Sequence, residues 1–196
     1  ANTFTFICFM QIDAGLLQYL RIAEFKDVTS LFATLIFING MTVILLQFAL
    51  LKLLENFAPL IKAIIGVSLF VIAFITFAYV PAGDSNGIIM AMIILSIGEV
   101  ILFPTIAIIL DKMAPAHLKG SYFGVAELSF IGMALAPLLG GFLLEVSGGF
   151  LLWITMACLS FMVLFLLYIA QTAKRPDLIL LEDENDLESE LPKCNN

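Results

Sequence analysis

Three carboxylates lie inside long apolar stretches of the sequence, where acidic side chains are unusual. Glu99 stands near the middle of one stretch, Asp13 lies in the first, and Glu127 lies near the start of another. A charge within hydrocarbon is costly, so such a group faces the protein interior or water, or is held protonated. A carboxyl that gains and loses a proton can carry it across a membrane. The three are therefore candidate proton-coupling residues, with Glu99 and Asp13 leading and Glu127 third.

A structural role is the alternative for each of them. A protonated carboxyl can donate a hydrogen bond to a neighbouring helix and hold its packing, and Glu127 can instead reach Lys112 or Lys119. Amide side chains are the other polar groups in these stretches, and they either line a translocation path or contact another helix. These candidate path residues are Gln11, Gln18, Asn39 and Gln47.

The composition shows which elements must position these groups. Hydrophobic residues make up 62% of the sequence and charged residues 13%, and the mean hydropathy is +1.09. The apolar stretches are continuous rather than alternating, which favours helices over the strands of a barrel. Their lengths are close to that of a membrane-crossing helix. The sequence predicts an all-α membrane protein with six transmembrane helices at about 3–20, 29–52, 60–80, 88–110, 121–145 and 149–171.

These helices predict one bundle over residues 1–171, followed by an acidic, disordered tail over 172–196. Lysines flank the loops after the second and fourth segments, and Lys174 and Arg175 follow the sixth, whereas the opposite side holds only Arg21 and Lys26. Basic residues collect in short cytoplasmic loops. We therefore expect a multi-pass protein of the plasma (inner) membrane with both ends of this chain in the cytoplasm. The first apolar segment is already under way at Ala1, so we expect part of the protein to precede it.

The residues that enzymes and metal sites require are scarce. The sequence has one histidine and three cysteines, and their spacing matches no zinc or haem site. It contains no metalloprotease, nucleophile-elbow or phosphate-loop motif. We therefore expect no enzymatic activity, no cofactor other than protons as the coupling ion, and no nucleic-acid partner. The expected partners are the lipid bilayer and a small-molecule substrate.

Small residues and prolines mark places where helices can approach closely or bend. Gly120 and Gly124 are four residues apart, and a second ridge follows in the fifth segment. Prolines interrupt the hydrogen bonding of the fourth and fifth segments, so bends are expected there. The ridge predicts tight packing, and a flexing gate helix would need both the packing and the bend. The residues concerned in the second ridge and the bends are Pro104, Gly132, Ala136, Pro137, Gly140 and Gly141.

The order of these motifs resembles a known family. The run "GE....P" at Gly98, then "AP...KG...G" from Ala114, then "G...APLLGG" from Gly132 is similar to helices ten and eleven of a major facilitator superfamily transporter. The proton-coupled drug-antiporter branch is the most similar. The segment "INGMTVILLQFALLKLLE" also resembles helix eight of that group. The resemblance covers roughly residues 1–171 and implies the carboxyl-terminal six-helix half of a twelve-helix fold.

The resemblance implies alternating access, in which two halves, each of two inverted three-helix repeats, rock about a central site. An amino-terminal six-helix half is then a missing partner. It also implies charge pairs that latch a cytoplasmic gate, although ordinary interfacial anchoring is the alternative for each candidate: Lys52, Asp111, Lys112 and Lys119. The expected function is proton-coupled efflux of small amphipathic compounds. A proton-coupled symporter for peptides or other nutrients, and a non-transporting six-helix fragment or partner subunit, remain alternatives.

Overall fold

The computed structural model describes residues 1–172, with the side chains of Ala116 and Gln171 left aside. The predicted acidic tail from residue 173 onward therefore lies outside the described residues. Within residues 1–172 every regular element is a helix, which confirms the all-α class.

The first apolar segment is a chain of three short helices, although a single helix over 3–20 is expected from the sequence. Shallow interruptions fall at Met10 and Gly15, which keep right-handed backbone angles. Glycine is a weak helix former. The absence of a side chain at Gly15 makes room for the Gln11 side chain, because a Cβ on Gly15 would lie 2.6 Å from the Gln11 Oε1 atom. The three helices are α1 (Asn2–Phe9), α2 (Gln11–Ala14) and α3 (Leu16–Ile22).

Three long helices follow, and their ends have local causes. Proline occupies the first turn of α5, where its missing N–H costs nothing. The Asp84 side chain caps α6 by accepting hydrogen bonds from the backbone N–H groups of Asn86 and Gly87, at 3.1 and 3.2 Å. Pro104 lies inside α6, which continues through it. The helices are α4 (Val28–Leu53), α5 (Pro59–Tyr79) and α6 (Ser85–Met113).

The last part of the bundle divides differently from the expected helices at 121–145 and 149–171. After a 3-10 turn at Ala116–Leu118, α7 (Lys119–Glu127) is separated from α8 (Ile131–Thr172) by a second 3-10 turn. The expected fifth helix is thus interrupted near its start. A sharp break inside α8 falls at Gly148, whose φ of 73° and ψ of −172° are accessible only to glycine.

Helix α5 forms the centre of the bundle and packs against both α6 and α8. Its aromatic side chains stack on Trp153 of α8, with ring centroids 4.7 Å apart for Phe77 and 6.0 Å for Phe74. Helix α4 packs on α6 and is otherwise largely exposed, since only 6% of its most apolar stretch is buried. Among the described residues, four stretches are long and apolar enough to cross a membrane: α4, α5, α6 and residues Lys119–Ala170.

Candidate functional site

The position of Glu99 follows from the close crossing of α5 and α6. A Cβ on Gly98 would lie 2.9 Å from the Gly66 carbonyl oxygen and 2.8 Å from Cδ1 of Phe70. Only glycine allows this approach, which fixes the face of α6 that meets α5. Successive residues of a helix are turned by about 100°. Glu99 therefore points away from α5, and its carboxyl faces α4.

A hydrogen-bonded cluster forms where Glu99 meets α4. The Asn39 Nδ2 atom donates to Glu99 Oε2 at 2.7 Å and lies 3.0 Å from the Ser96 hydroxyl oxygen. The Ser96 hydroxyl in turn donates to the Met92 carbonyl at 2.8 Å, one turn back in the same helix. Ser96 is buried, whereas Asn39 and Glu99 are half-buried. The cluster thus holds a carboxyl at the helix interface while leaving part of it accessible.

The other two carboxylates occupy different surroundings. Asp13 on α2 is exposed. Glu127, at the end of α7, is also exposed, and it has no hydrogen-bond or ion-pair partner among residues 1–172. No hydrogen bond joins either of them to Glu99 among the described residues. No basic side chain forms an ion pair with Asp13 or Glu99 in the described part of the chain.

The four predicted path amides differ in accessibility. Asn39 belongs to the Glu99 cluster. Gln47 is half-buried on α4 and makes no side-chain hydrogen bond among the described residues, and Gln18 is exposed on α3. Gln11 is fully buried, with an exposed fraction of 0%. Gln11 therefore does not line an open path in this conformation.

Gln11 instead joins the first segment to α8. Its Nε2 atom donates to the Ala136 carbonyl oxygen at 2.7 Å, and its buried Oε1 atom has no hydrogen-bond partner in the described part of the chain. A Cβ on Gly140 would overlap Oε1, and a Cβ on Gly132 would overlap the Thr3 carbonyl. The predicted ridge of small residues is thus the surface of α8 that contacts α1 and α2.

The other predicted packing glycines lie in open surroundings. Within residues 1–172, no atom outside the local helix lies within 4 Å of a Cβ built on Gly120, Gly124 or Gly141. The expected close approach at Gly120 and Gly124 is therefore wrong for this conformation, because α7 is exposed along its length. Pro137 lies inside α8, next to the carbonyl that Gln11 contacts.

The predicted gate residues gather at one end of α6. The Lys119 Nζ atom lies 2.6 Å from Oδ1 of Asp111, and both side chains are about half exposed, at 46% and 54%. Lys112 and Lys52 are exposed and form no ion pair within residues 1–172. The structure thus assembles one of the possible charge pairs across the turn between α6 and α7.

The chemistry available at the Glu99 cluster is proton binding and hydrogen bonding. No group of three or more His, Cys, Asp or Glu side chains that could hold a metal ion occurs among the described residues. Two residues of this arrangement, Ser96 and Gly66, were not predicted from the sequence. Ser96 lies three residues before Glu99 in a largely apolar helix, and this spacing puts both on one face. The sequence pattern could therefore have predicted that Ser96 belongs to the Glu99 cluster.

Comparisons with known proteins give the context of this arrangement. The sequence model of the Major Facilitator Superfamily matches residues 2–130. A protein of Bacillus subtilis (strain 168), the uncharacterized MFS-type transporter YqjV, is 32% identical over 104 residues, which cover 52% of this chain and 24% of that protein. The chain thus spans about a quarter of the length of the curated relative that it matches.

Proposed function

Because the chain belongs to the Major Facilitator Superfamily, we propose that it is the carboxyl-terminal half of a proton-coupled transporter that works by alternating access. The family consists of membrane transporters, so the predictions of a multi-pass membrane protein and of a chain that is not an enzyme are confirmed. The coupling, the substrate class and the missing half belong to the proposal.

Six membrane crossings are part of this proposal. A crossing helix needs about 20 residues, whereas Lys119–Ala170 has 52 residues and breaks at Gly148. This stretch then crosses twice, and the three short helices of the first segment cross once. Lys112 and Lys119 flank the turn between α6 and α7, and Lys52 lies at the end of α4, before the turn to α5, so the positive-inside rule puts these turns in the cytoplasm. Both ends of the chain are then cytoplasmic, and the membrane is the plasma membrane.

The single observation that carries the coupling proposal is the Asn39–Glu99 hydrogen bond of 2.7 Å between α4 and α6. An ionised carboxylate accepts from the Asn39 amide. Protonation removes the charge and weakens that acceptor, which loosens the link between the two helices. The protonation state of Glu99 thereby biases which arrangement of the helices is favoured. Asp13, the other leading carboxylate of the apolar segments, is the second coupling residue of this proposal.

Efflux of amphipathic compounds is the direction that the resemblance to drug antiporters supports. The half-exposed side of the cluster offers a carboxylate and an amide beside apolar helices, which suits a molecule with one polar end and one apolar end. The exposed pair of Asp111 and Lys119 is placed to exchange partners as a cytoplasmic gate opens and closes.

The test is proton flux that depends on a transported compound. The full-length transporter that contains this half is purified, reconstituted in liposomes loaded with pyranine, a pH-sensitive dye, and supplied with ethidium as an amphipathic fluorescent probe. Glu99→Gln keeps the size of the side chain and an oxygen that can accept from Asn39, but it cannot carry a proton. We expect ethidium-dependent proton flux to be lost while ethidium binding and thermal stability stay unchanged. Glu127→Gln is the matched control and should retain the flux.

Two results would contradict parts of this proposal. Unchanged coupling in Glu99→Gln would make Glu99 a packing residue and leave Asp13 as the coupling group. Absence of any ethidium-dependent flux in the wild-type protein, with its fold intact, would reject amphipathic efflux. Proton flux driven instead by a dipeptide entering with the proton would establish the symporter alternative.

A further inference from the structure

The Ser96 hydroxyl group decides which side of the Asn39 amide faces Glu99. Its oxygen lies 2.8 Å from the Met92 carbonyl oxygen, one turn back in α6. A carbonyl oxygen carries no proton, so the hydroxyl must donate in this contact. Toward its other neighbour, the Asn39 amide at 3.0 Å, the Ser96 oxygen can then only accept a hydrogen bond.

An acceptor at Ser96 is matched only by the NH₂ group of the Asn39 amide. The two N–H bonds of Nδ2 are directed at Ser96 Oγ and at Glu99 Oε2, at 3.0 and 2.7 Å. Ser96 is fully buried, with an exposed fraction of 0%, so water does not replace a lost partner there. An amide turned by half a rotation would bring its oxygen against the Ser96 oxygen, and the hydroxyl could donate to it only by leaving the Met92 carbonyl.

This orientation treats the two protonation states of Glu99 differently. An ionised carboxylate accepts from the Asn39 N–H group in a charge-assisted hydrogen bond. A protonated carboxyl presents an O–H donor, which needs an acceptor. The Asn39 oxygen could serve, but the contact with Ser96 directs it elsewhere. The link between α4 and α6 therefore favours the ionised carboxyl.

No other ionisable side chain bonds to the Glu99 carboxyl in the described part of the chain. Helix α6 packs against α4, α5 and α7. Asp13 of α2 has no hydrogen bond or ion pair with Glu99 within residues 1–172, and the same is true of the other ionisable side chains on α4, α5, α6 and α7. These side chains are Lys52, Lys62, Tyr79, Asp111, Lys112, Lys119, Tyr122 and Glu127.

We propose that Ser96 is a positioning residue for proton coupling, which acts through Asn39 to restrict the link between α4 and α6 to the ionised state of Glu99. The inference rests on the proposed role of Glu99 and adds a claim that can fail separately. Without the Ser96 oxygen the amide is free to turn, and its oxygen can accept from the protonated carboxyl. The two helices then stay linked in both states. One hydrogen bond of this kind changes the ratio of the two amide orientations by about fivefold.

The carbonyl stretching band of protonated Glu99 reports this orientation, because the band moves to lower wavenumber when the carboxyl O–H donates a hydrogen bond. Infrared difference spectra between low and high pH are recorded on the full-length transporter that contains this half. The band that disappears in Glu99→Gln and persists in Asp13→Asn belongs to Glu99. We expect Ser96→Ala to enrich the component at lower wavenumber by about fivefold over the wild-type protein.

Two controls test whether Ser96 acts through the amide. Ser68 on α5 makes the same bond to the carbonyl oxygen one turn back, at 2.8 Å, so Ser68→Ala should leave the Glu99 band unchanged. In an Asn39→Ala background, Ser96→Ala should also leave the band unchanged. A band that does not move in Ser96→Ala would overturn the inference. So would a shift of equal size in the absence of Asn39.

Transport measurements separate this inference from the proposed function. In the ethidium assay, Ser96→Ala should retain ethidium binding and lower the proton flux that accompanies ethidium. Loss of coupling in Glu99→Gln, together with an unmoved band in Ser96→Ala, would keep Glu99 as the coupling residue and reject the role of Ser96. A shifted band in Ser96→Ala, together with no ethidium-dependent flux in the wild-type protein, would support the positioning by Ser96 and reject amphipathic efflux.

Discussion

Replacing Gly140 by alanine should destabilise the protein by displacing Gln11. A Cβ on Gly140 would overlap Gln11 Oε1. The Gln11 side chain is fully buried, and Gly15 borders its other side, where a Cβ would lie only 2.6 Å from Oε1. The amide therefore has no free space to enter. It can accommodate the methyl group only by giving up its 2.7 Å hydrogen bond to the Ala136 carbonyl oxygen.

The loss of stability in Gly140→Ala can be compared with the effect of the same substitution at the next residue, Gly141. Loss of a hydrogen bond between membrane helices costs about 1 kcal/mol, and overpacking a filled site costs roughly 1–3 kcal/mol. Exchanging glycine for alanine within a helix stabilises the folded protein by about 0.5–1 kcal/mol. Gly141→Ala receives the same helical gain without the clash, because no described atom outside the local helix lies within 4 Å of its Cβ position. We expect Gly140→Ala to be less stable than Gly141→Ala by about 2–4 kcal/mol.

The assay is reversible unfolding of the purified protein in mixed micelles of detergent and SDS, followed by circular dichroism. A double-mutant cycle with Gln11→Ala isolates the contact. Gln11→Ala alone should destabilise the protein by leaving a cavity, and Gly140→Ala should then cost nothing further. Equal stability of Gly140→Ala and Gly141→Ala would refute the reasoning. So would additive effects of Gln11→Ala and Gly140→Ala in the cycle.

Two further predictions concern contacts at either end of the bundle. Gly149→Ala should push the Tyr19 ring away, because a Cβ on residue 149 would overlap that ring. Tyr19 packs edge-on against Trp153 with centroids 5.4 Å apart, so the fluorescence emission of the single tryptophan should shift. An unchanged emission spectrum would contradict this contact. Removing the exposed ion pair with Asp111→Asn and Lys119→Gln together should change the free energy of unfolding by less than about 1 kcal/mol. A larger loss of stability in the same SDS titration would show that the pair holds α6 and α7 together.

The sequence by itself determined the class of the protein and its long helices. Continuous apolar stretches require internally satisfied backbone hydrogen bonds, and this restricts the chain to membrane helices. The expected helix at 60–80 is found at Pro59–Tyr79, and the one at 29–52 at Val28–Leu53. The same reasoning singled out Glu99, because a lone carboxyl in an apolar helix requires an explanation wherever it lies.

Only the tertiary structure decided which polar groups meet. Asn39 and Glu99 are 60 residues apart, and no local sequence pattern pairs them. The crossing of α5 and α6 at Gly66 and Gly98 turns Glu99 toward α4. Gln11 and Gln18 share one helical stripe in the sequence, yet one is fully buried and the other exposed, because α8 covers only part of the first segment. Spacing along a helix gives the direction of a side chain, whereas its partner depends on how separate helices pack.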